Sequence, residues 1–357
     1  MKALKKPILL CVCLLLTILT ACGSDIANGY KYAAGDTYIA LVGDSYIFMI
    51  MDNGCTTYYR QYLNDNSVEE IGVINNFVLS TKGAAKIGER VYFTAVVNNN
   101  GNESVGLYEI DLGANTISEV ARDTECSYDA YTFPFGECVA VAKYRYEGDL
   151  IYSYIDVYDP RSEEISTILD GVINNESLVG EIILRACSDG ENLFALTDIG
   201  EDDSEAPETE VIMYSFNAES EETQNEKIIF PESLKDYIMQ ARVYQLIVSN
   251  NYIYMSNYSN CSVLGRINGG KIDPIVQGEN LEFAGSTDDS ILLYERGSNN
   301  LVVVDSLTGK FVKKSIEIED NFTIKCVLLN EEDVLLVLKS AGKDDLVYKQ
   351  LLNDFIN

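Results

Sequence analysis

From residue 29 onward the chain is a succession of short apolar and aromatic runs separated by polar turns. Helical periodicity is nearly absent. Only Glu232 to Val243, with Leu234, Ile238 and Met239 at i, i+4 and i+5 behind Pro231, predicts a helix. What recurs is a unit in which a polar turn enters an apolar strand, first as Gly43-Asp44-Ser45-Tyr46-Ile47-Phe48. The pattern returns at Gly88-Glu89-Arg90-Val91-Tyr92-Phe93, Gly136-Glu137-Cys138-Val139-Ala140-Val141 and Gly190-Glu191-Asn192-Leu193-Phe194-Ala195. It comes again at Ser249-Asn250-Asn251-Tyr252-Ile253-Tyr254, Asp288-Asp289-Ser290-Ile291-Leu292-Leu293 and Glu331-Glu332-Asp333-Val334-Leu335-Leu336.

Aligning Tyr46, Val91, Cys138, Leu193, Tyr252, Ile291 and Val334 gives a mean period of 48 residues. Behind each first strand runs an alternating one, such as Gly106–Leu112 or Ser153–Asp159, then a turn and a shorter strand such as Asn115–Val120. Period-2 alternation suits a strand with one packed face. A period of 40–50 residues holding about four strands is the signature of a β-propeller. The pattern therefore predicts an all-β β-propeller with seven blades of four antiparallel strands. Six blades is the alternative count, and a pair of β-sandwiches the alternative fold. The two longest steps flank Leu193, where the acidic segments Glu201–Glu210 and Glu219–Glu226 are expected to be loop insertions.

Particular hairpins carry resemblances. Leu301-Val302-Val303-Val304-Asp305-Ser306-Leu307-Thr308-Gly309-Lys310 resembles a blade of quinoprotein-like and YncE-like propellers, whose repeat places a strand and an Asp before a Thr-Gly-Lys turn. Asp159-Pro160-Arg161-Ser162 is a degraded form of that turn, and Cys187 to Ala195 is similar to the Asp-Gly turn of TolB-like blades. The resemblance implies a secreted propeller. Quinone-binding members stack their cofactor on a Trp, and this chain has 0 Trp, so no quinone site is expected.

The N-terminus is of a different kind. Lys2, Lys5 and Lys6 precede an uncharged, mostly apolar run from Ile8 to Leu19. Twelve residues cannot span a bilayer as a helix, which needs about 20. The run ends in Leu19-Thr20-Ala21-Cys22-Gly23-Ser24, which resembles a bacterial lipobox. The resemblance implies cleavage before Cys22 and acylation of its sulfur. The expected organisation is a signal peptide over 1–21, a lipidated tether over 22–28 and one propeller domain over 29–357. The expected location is the extracytoplasmic side of a bacterial cell membrane.

Charge and thiols refine this reading. The chain has 56 acidic and 26 basic residues, a net charge of −30, and loss of three signal lysines takes the mature chain to −33. Such a balance supplies no basic face for displacing counterions from nucleic acid, and no nucleic-acid partner is expected. Cys55, Cys126, Cys138, Cys187, Cys261 and Cys326 show no CxxC spacing and read as small hydrophobes in strands, with a Cys126–Cys138 bridge as the alternative.

Candidate chemistry is sparse. With 0 His there is no Ser-His-Asp or Cys-His machinery and no His-based zinc site. Walker A, HExxH and Gly-x-Ser-x-Gly patterns are absent, so no catalytic residue, metal ligand or cofactor is assigned. The acidic stretches Glu201–Glu205 and Asn98–Glu103 lack calcium-loop spacing and read as solvated hairpins. Tyr58, Tyr59 and Tyr62, with Tyr144 and Tyr146, are read first as inter-blade packing and second as a recognition face. The sequence thus predicts a lipid-anchored propeller serving as a non-catalytic scaffold for a protein or glycan partner. The alternatives are a carboxylate-dependent glycan hydrolase or lyase with Ca²⁺, and an accessory subunit of an envelope assembly or transporter. Cys22 is the one site residue predicted.

Overall fold

The computed structural model describes residues 29–31, 37–52, 55–65, 67–80, 83–99, 102–124, 130–174, 180–200, 210–217, 223–227, 243–249, 251–257, 261–268, 271–318, 322–330, 332–341 and 346–356. Cys22, Cys126, the segment 201–209 and residues 232–242 of the helical candidate lie outside them.

Strand β1 is Gly29–Lys31, and the other described strands run through successive units of three to five strands, numbered I to VII in chain order. Unit I comprises Thr37–Val42, Ser45–Asp52, Cys55–Tyr62 and Val68–Asn75 (β2–β5). Unit II opens with two short strands, Phe77–Ser80 and Ala85–Ile87 (β6, β7), both paired to Arg90–Asn99 (β8), followed by Asn102–Asp111 (β9) and Thr116–Asp123 (β10). Unit III is Ala130–Phe135, Cys138–Glu147, Leu150–Asp159 and Glu164–Asn174 (β11–β14); unit IV is Gly180–Ser188, Asn192–Gly200, Glu210–Asn217 and Thr223–Lys227 (β15–β18). Unit V is Val243–Ser249, Tyr252–Asn257, Cys261–Asn268 and Lys271–Glu279 (β19–β22); unit VI is Leu281–Ser286, Ser290–Glu295, Asn300–Asp305 and Phe311–Ser315 (β23–β26). Unit VII has Thr323–Asn330, Asp333–Lys339 and Leu346–Leu351 (β27–β29), then a helical turn, Asn353–Ile356 (α1).

The architecture is an all-β β-propeller of four-stranded antiparallel meanders. By hydrogen bonding the described strands form six sheets, because units III and IV share one eight-stranded sheet. The joint is small: β14 pairs with β15 only through Val172↔Glu181 and Ile173↔Gly180. Gly180 makes it sterically feasible, since at φ 129° a Cβ there would lie 2.2 Å from the Val172 carbonyl oxygen.

All seven aligned positions fall in the second strand of their unit, and the recurrent polar turn is the turn between strands one and two. Its chemistry explains the repeat. Gly43 (φ 57°) and Gly88 (φ 58°) sit left-handed, as does Asn251 (φ 64°) in unit V, a conformation that Gly and Asn tolerate best. The next residues bury deepest: Tyr46, Val91, Leu193 and Val334 are each 0% exposed. Along the whole ring, successive units meet through a separate buried cluster. Units I and II meet through Ile47, Tyr58 and Phe93; units VI and VII through Leu292, Val303 and Leu336. Leu41, Tyr46 and Phe48 of unit I pack on Leu335, Val337 and Val347 of unit VII, which closes the circle.

Ring closure is also a matter of hydrogen bonding. β1 pairs antiparallel with β29 (Gly29↔Tyr348, Tyr30↔Val347, Lys31↔Leu346) and supplies the outermost strand of unit VII. The strand that precedes the first unit thus belongs to the last one. The last residues do not form a strand; Phe355 in α1 is buried instead against the VI–VII cluster.

Two expectations are corrected. Thr223–Lys227, within the expected acidic loop, is the edge strand β18, because an outermost strand needs ladder bonds to one neighbour only and accepts polar residues. Val243, the end of the helical candidate, begins β19. Cys138 is in no disulfide and packs against the III–IV cluster, which is the small-hydrophobe reading and not the alternative bridge. Cys55, Cys187, Cys261 and Cys326 form no disulfide either, and Cys187 is buried in the IV–V cluster.

Candidate functional site

Two cavities lie at seams between units, and each is organised by one lysine. The first, about 380 Å³, opens between units II and III and is lined by Thr94, Leu107, Asp123, Val141, Lys143, Asp156 and Tyr158, among others. Lys143 on β12 donates to Asp123 of β10 across the seam, and to Asp156 of β13 at 2.6 Å. Thr167 Oγ1 donates to the Asp156 carboxylate at 2.7 Å. Burial alone would push the Lys143 ammonium down, but its bonds to the two aspartates outweigh this and hold its pKa above the ordinary value.

The clamp should matter to stability. In Lys143→Met the carboxylates of Asp123 and Asp156 lose the ammonium held between them, and we expect a loss of about 2 kcal/mol at neutral pH. A denaturant midpoint checks this.

The second cavity, about 470 Å³, lies at the closing seam and is lined by Asp44, Leu63, Asn64, Asp333, Lys349, Gln350, Leu351 and Asp354. Lys349 on β29 donates to Asp44 in the first turn of unit I at 2.8 Å and to Asp333 at 2.9 Å. The bond from Lys349 holds the Asp44 carboxyl below the usual range. One lysine therefore ties the last unit to the first.

A third feature is a charged face. In an up-and-down four-stranded unit, the turns after strands one and three lie at the same end. Those after the first strand expose Asp44, Glu89, Glu137, Asp189, Glu191, Asp288, Asp289 and Glu332. Those after the third repeat another device. Asp305 accepts from the amides of Leu307 (3.1 Å) and Thr308 (2.7 Å), and Asp111 from those of Gly113 (2.9 Å) and Ala114 (2.8 Å). Asp159 accepts from the Arg161 amide at 2.9 Å. The amide bonds hold the Asp305 and Asp111 carboxyls below their ordinary pKa, and at Asp159 the Arg161 side chain does so first, with the amide adding to it. The result is one end of the propeller rich in carboxylates, where Arg161 pairs with Glu137 and Asp159 and Lys349 with Asp44, and the acidic excess is a source of long-range attraction for cations.

The tyrosines do not come together as a recognition face. Tyr58 and Tyr144 are buried in different seams, Tyr59 stacks on Phe48 with centroids 5.3 Å apart, Tyr62 lies under the Arg60 guanidinium, and Tyr146 is exposed. Packing is their main role. Asn98, Asn99, Asn102 and Glu103 lie in the β8–β9 hairpin. Among the described residues no group of three or more Asp, Glu or Cys side chains is arranged to hold a metal. The functionally suggestive elements, the two lysine clamps, were missed in the sequence, where Asp123, Lys143 and Asp156 form no motif.

No known family profile matches the chain, and no curated protein matches it in sequence. Its fold is similar to that of the β-propeller domain of the Trilobed protease from Pyrococcus furiosus, at 14% identity and TM-score 0.54 over 91% of this chain and 97% of that one. That domain is described as having an open velcro topology, whereas here β1 closes on β29. An acylaminoacyl peptidase from Pyrococcus horikoshii is similar at 13% identity and TM-score 0.55; 91% of this chain is matched and 53% of the peptidase, so the chain spans about half of its length. An oligogalacturonate lyase in complex with manganese is similar at 10% identity and TM-score 0.56 over 92% of each chain. At these identities the likeness is one of fold alone: the chain is a β-propeller.

Proposed function

We propose that this propeller is an extracytoplasmic lipoprotein, held in a bacterial membrane by acyl chains on Cys22, that serves as a non-catalytic scaffold for a basic protein partner. The observation that carries the binding reading is the anionic end of the ring, where the first turns of six units expose carboxylates toward one side. The lysines in the two seam cavities are engaged by ion pairs that join neighbouring units, which suits a rigid platform better than acid–base chemistry. Anchoring rests on Leu19-Thr20-Ala21-Cys22 behind its short apolar run. No helix among the described residues is long and apolar enough to cross a membrane.

A glycan hydrolase or lyase is the second reading, and the convergence of Asp123 and Asp156 on one cavity is what favours it.

The anchor is tested by Cys22→Ser. Each acyl CH₂ buried contributes about 0.8 kcal/mol, so two or more chains hold a domain durably. The variant should lose both palmitate incorporation and membrane fractionation; retention of both would reject the anchor. Capture of a basic membrane or envelope protein by the wild type should fall with added salt and on reversing Glu89, Glu137 and Glu191 to Lys. Capture indifferent to both changes would reject the acidic face as the binding surface.

A further inference from the structure

The outer rim of unit VI breaks the acidic character of the molecule. β26 is the free edge of its sheet and reads Phe311-Val312-Lys313-Lys314-Ser315, preceded by Leu307 and Lys310 in the turn. Leu307 is 73% exposed, Val312 54% and Phe311 50%. Three lysines within five positions are unusual in a chain whose acidic residues outnumber its basic ones 56 to 26. The nearby carboxylates do not cancel them all: Glu295 pairs with Lys313 at 2.5 Å, and Asp305 is turned onto the amides of its own turn. Exposed large apolar side chains ringed by lysines are the composition of a surface that rests on anionic lipid.

The direction of β1 supplies the second observation. Gly29 opposes Tyr348 and Lys31 opposes Leu346, so the N-terminal end of β1 lies at the C-terminal end of β29. β29 is the third strand of unit VII, so this end carries the turns that follow third strands. In unit VI, whose core is continuous with that of unit VII, the equivalent turn is the one bearing Leu307 and Lys310. The N-terminal end of β1 and the apolar–basic rim therefore share one end of the propeller, on the outer edges of adjacent units. Cys22 lies seven residues before Gly29, a reach of at most about 25 Å.

We propose that the Leu307–Lys314 rim of unit VI lies against the anionic headgroups of the membrane that holds the lipid on Cys22. The inference rests on the anchored reading for its orientation, not for its chemistry. Phe311, Val312 and Leu307 enter the interface while the lysine ammonium groups reach the phosphates, and the strand edge keeps its polar groups in the wet headgroup layer. The anchor raises the local concentration, so a weak patch suffices. The carboxylates of the same end are repelled by the bilayer. Contact is thereby confined to one rim, and the ring stands tilted with its acidic turns facing water.

The chain contains no Trp, so Phe311→Trp creates a single indole at the patch. The full lipidated chain carrying this reporter is reconstituted into phosphatidylcholine vesicles with and without phosphatidylglycerol. We expect blue-shifted emission and quenching by brominated lipid in the anionic vesicles, both reversed by high salt. A Tyr146→Trp reporter on unit III should stay unquenched. Reversing Lys310, Lys313 and Lys314 to Glu should abolish the quenching at position 311, and the neutral Lys→Gln set should give an intermediate value. Unlipidated mature chain added to anionic vesicles should lose about fivefold in binding for each lysine removed. An indole at 311 that stays unquenched while the anchor is inserted, or quenching unaffected by the lysine changes, would overturn the proposal. Failure of the anchor is read separately, as absence of palmitate, and leaves the unlipidated vesicle titration to decide on the patch.

Discussion

Deleting residues 26–35 while keeping Cys22 is expected to lower the melting temperature by roughly 6–12 °C and to promote self-association. The deletion removes β1, whose three residues supply the fourth strand of unit VII by pairing with β29. Its ladder bonds contribute about 1 kcal/mol each. Without it, Val347 (0% exposed) and Leu346 (3% exposed) lie on an unprotected edge. A loss near 3 kcal/mol follows, and at about 2–4 °C per kcal/mol for a domain larger than 150 residues the shift should be clear by calorimetry. What survives is the side-chain seam between units I and VII, with its Lys349 clamp and the cluster around Leu335 and Val337. The variant should therefore fold but melt early. An unchanged melting temperature would mean that β1 contributes nothing to closure.

The positions at which the sequence was readable share a local cause. The first turn of a unit leads into a run of buried side chains, and in units I to V it holds a left-handed Gly or Asn, so a polar turn followed by apolar residues recurs with the fold's own period. That is why Tyr46, Val91, Cys138, Leu193, Tyr252, Ile291 and Val334 could be aligned. The eight-stranded sheet had no such signal. It depends on Gly180 lying close to the Val172 carbonyl, a contact that no local pattern encodes. Strand β18 was hidden because an edge strand is specified by its neighbour and not by its own hydrophobicity. The lysine clamps were illegible for a related reason. Asp123 and Lys143 sit 20 residues apart on different units, and among 56 acidic residues no pairing can be picked out in advance. The anionic end was partly legible, since the repeated turns carry Asp or Glu in six units, but only the topology shows that those turns share one side.

Raising the pH should unfold this propeller cooperatively between about pH 10 and 12, with tyrosines ionising together with the loss of structure. Burial is the largest cause raising the phenols of Tyr92 and Tyr108, each pushed up to about 12, with Glu109 and Glu119 adding to it. Burial likewise raises Tyr58, Tyr254 and Tyr294, the last beside Glu282. In the unfolded chain tyrosine titrates near 10. Groups whose folded pKa is raised give their full stabilisation below the unfolded value and lose it as pH climbs through the folded one. Tyr92 and Tyr108 therefore both work against the folded state once the pH passes the unfolded value near 10. Lys143 and Lys349 act in the same direction, because both are raised by their aspartate partners and an unfolded lysine deprotonates near 10.4. On the acid side the sign is opposite. Asp44, Asp111, Asp159 and Asp305 are held below the ordinary carboxylate value, and their contribution is present above about pH 4 and lost as pH falls further. Denaturant midpoints followed with pH, alongside tyrosinate absorbance, should show a broad plateau, a gradual acid decline and a steep alkaline collapse. Tyr294→Phe removes one of the phenols beside a carboxylate and should make the alkaline slope shallower. Tyrosines that all titrate smoothly near 10 in a chain that stays folded would refute this account of the core.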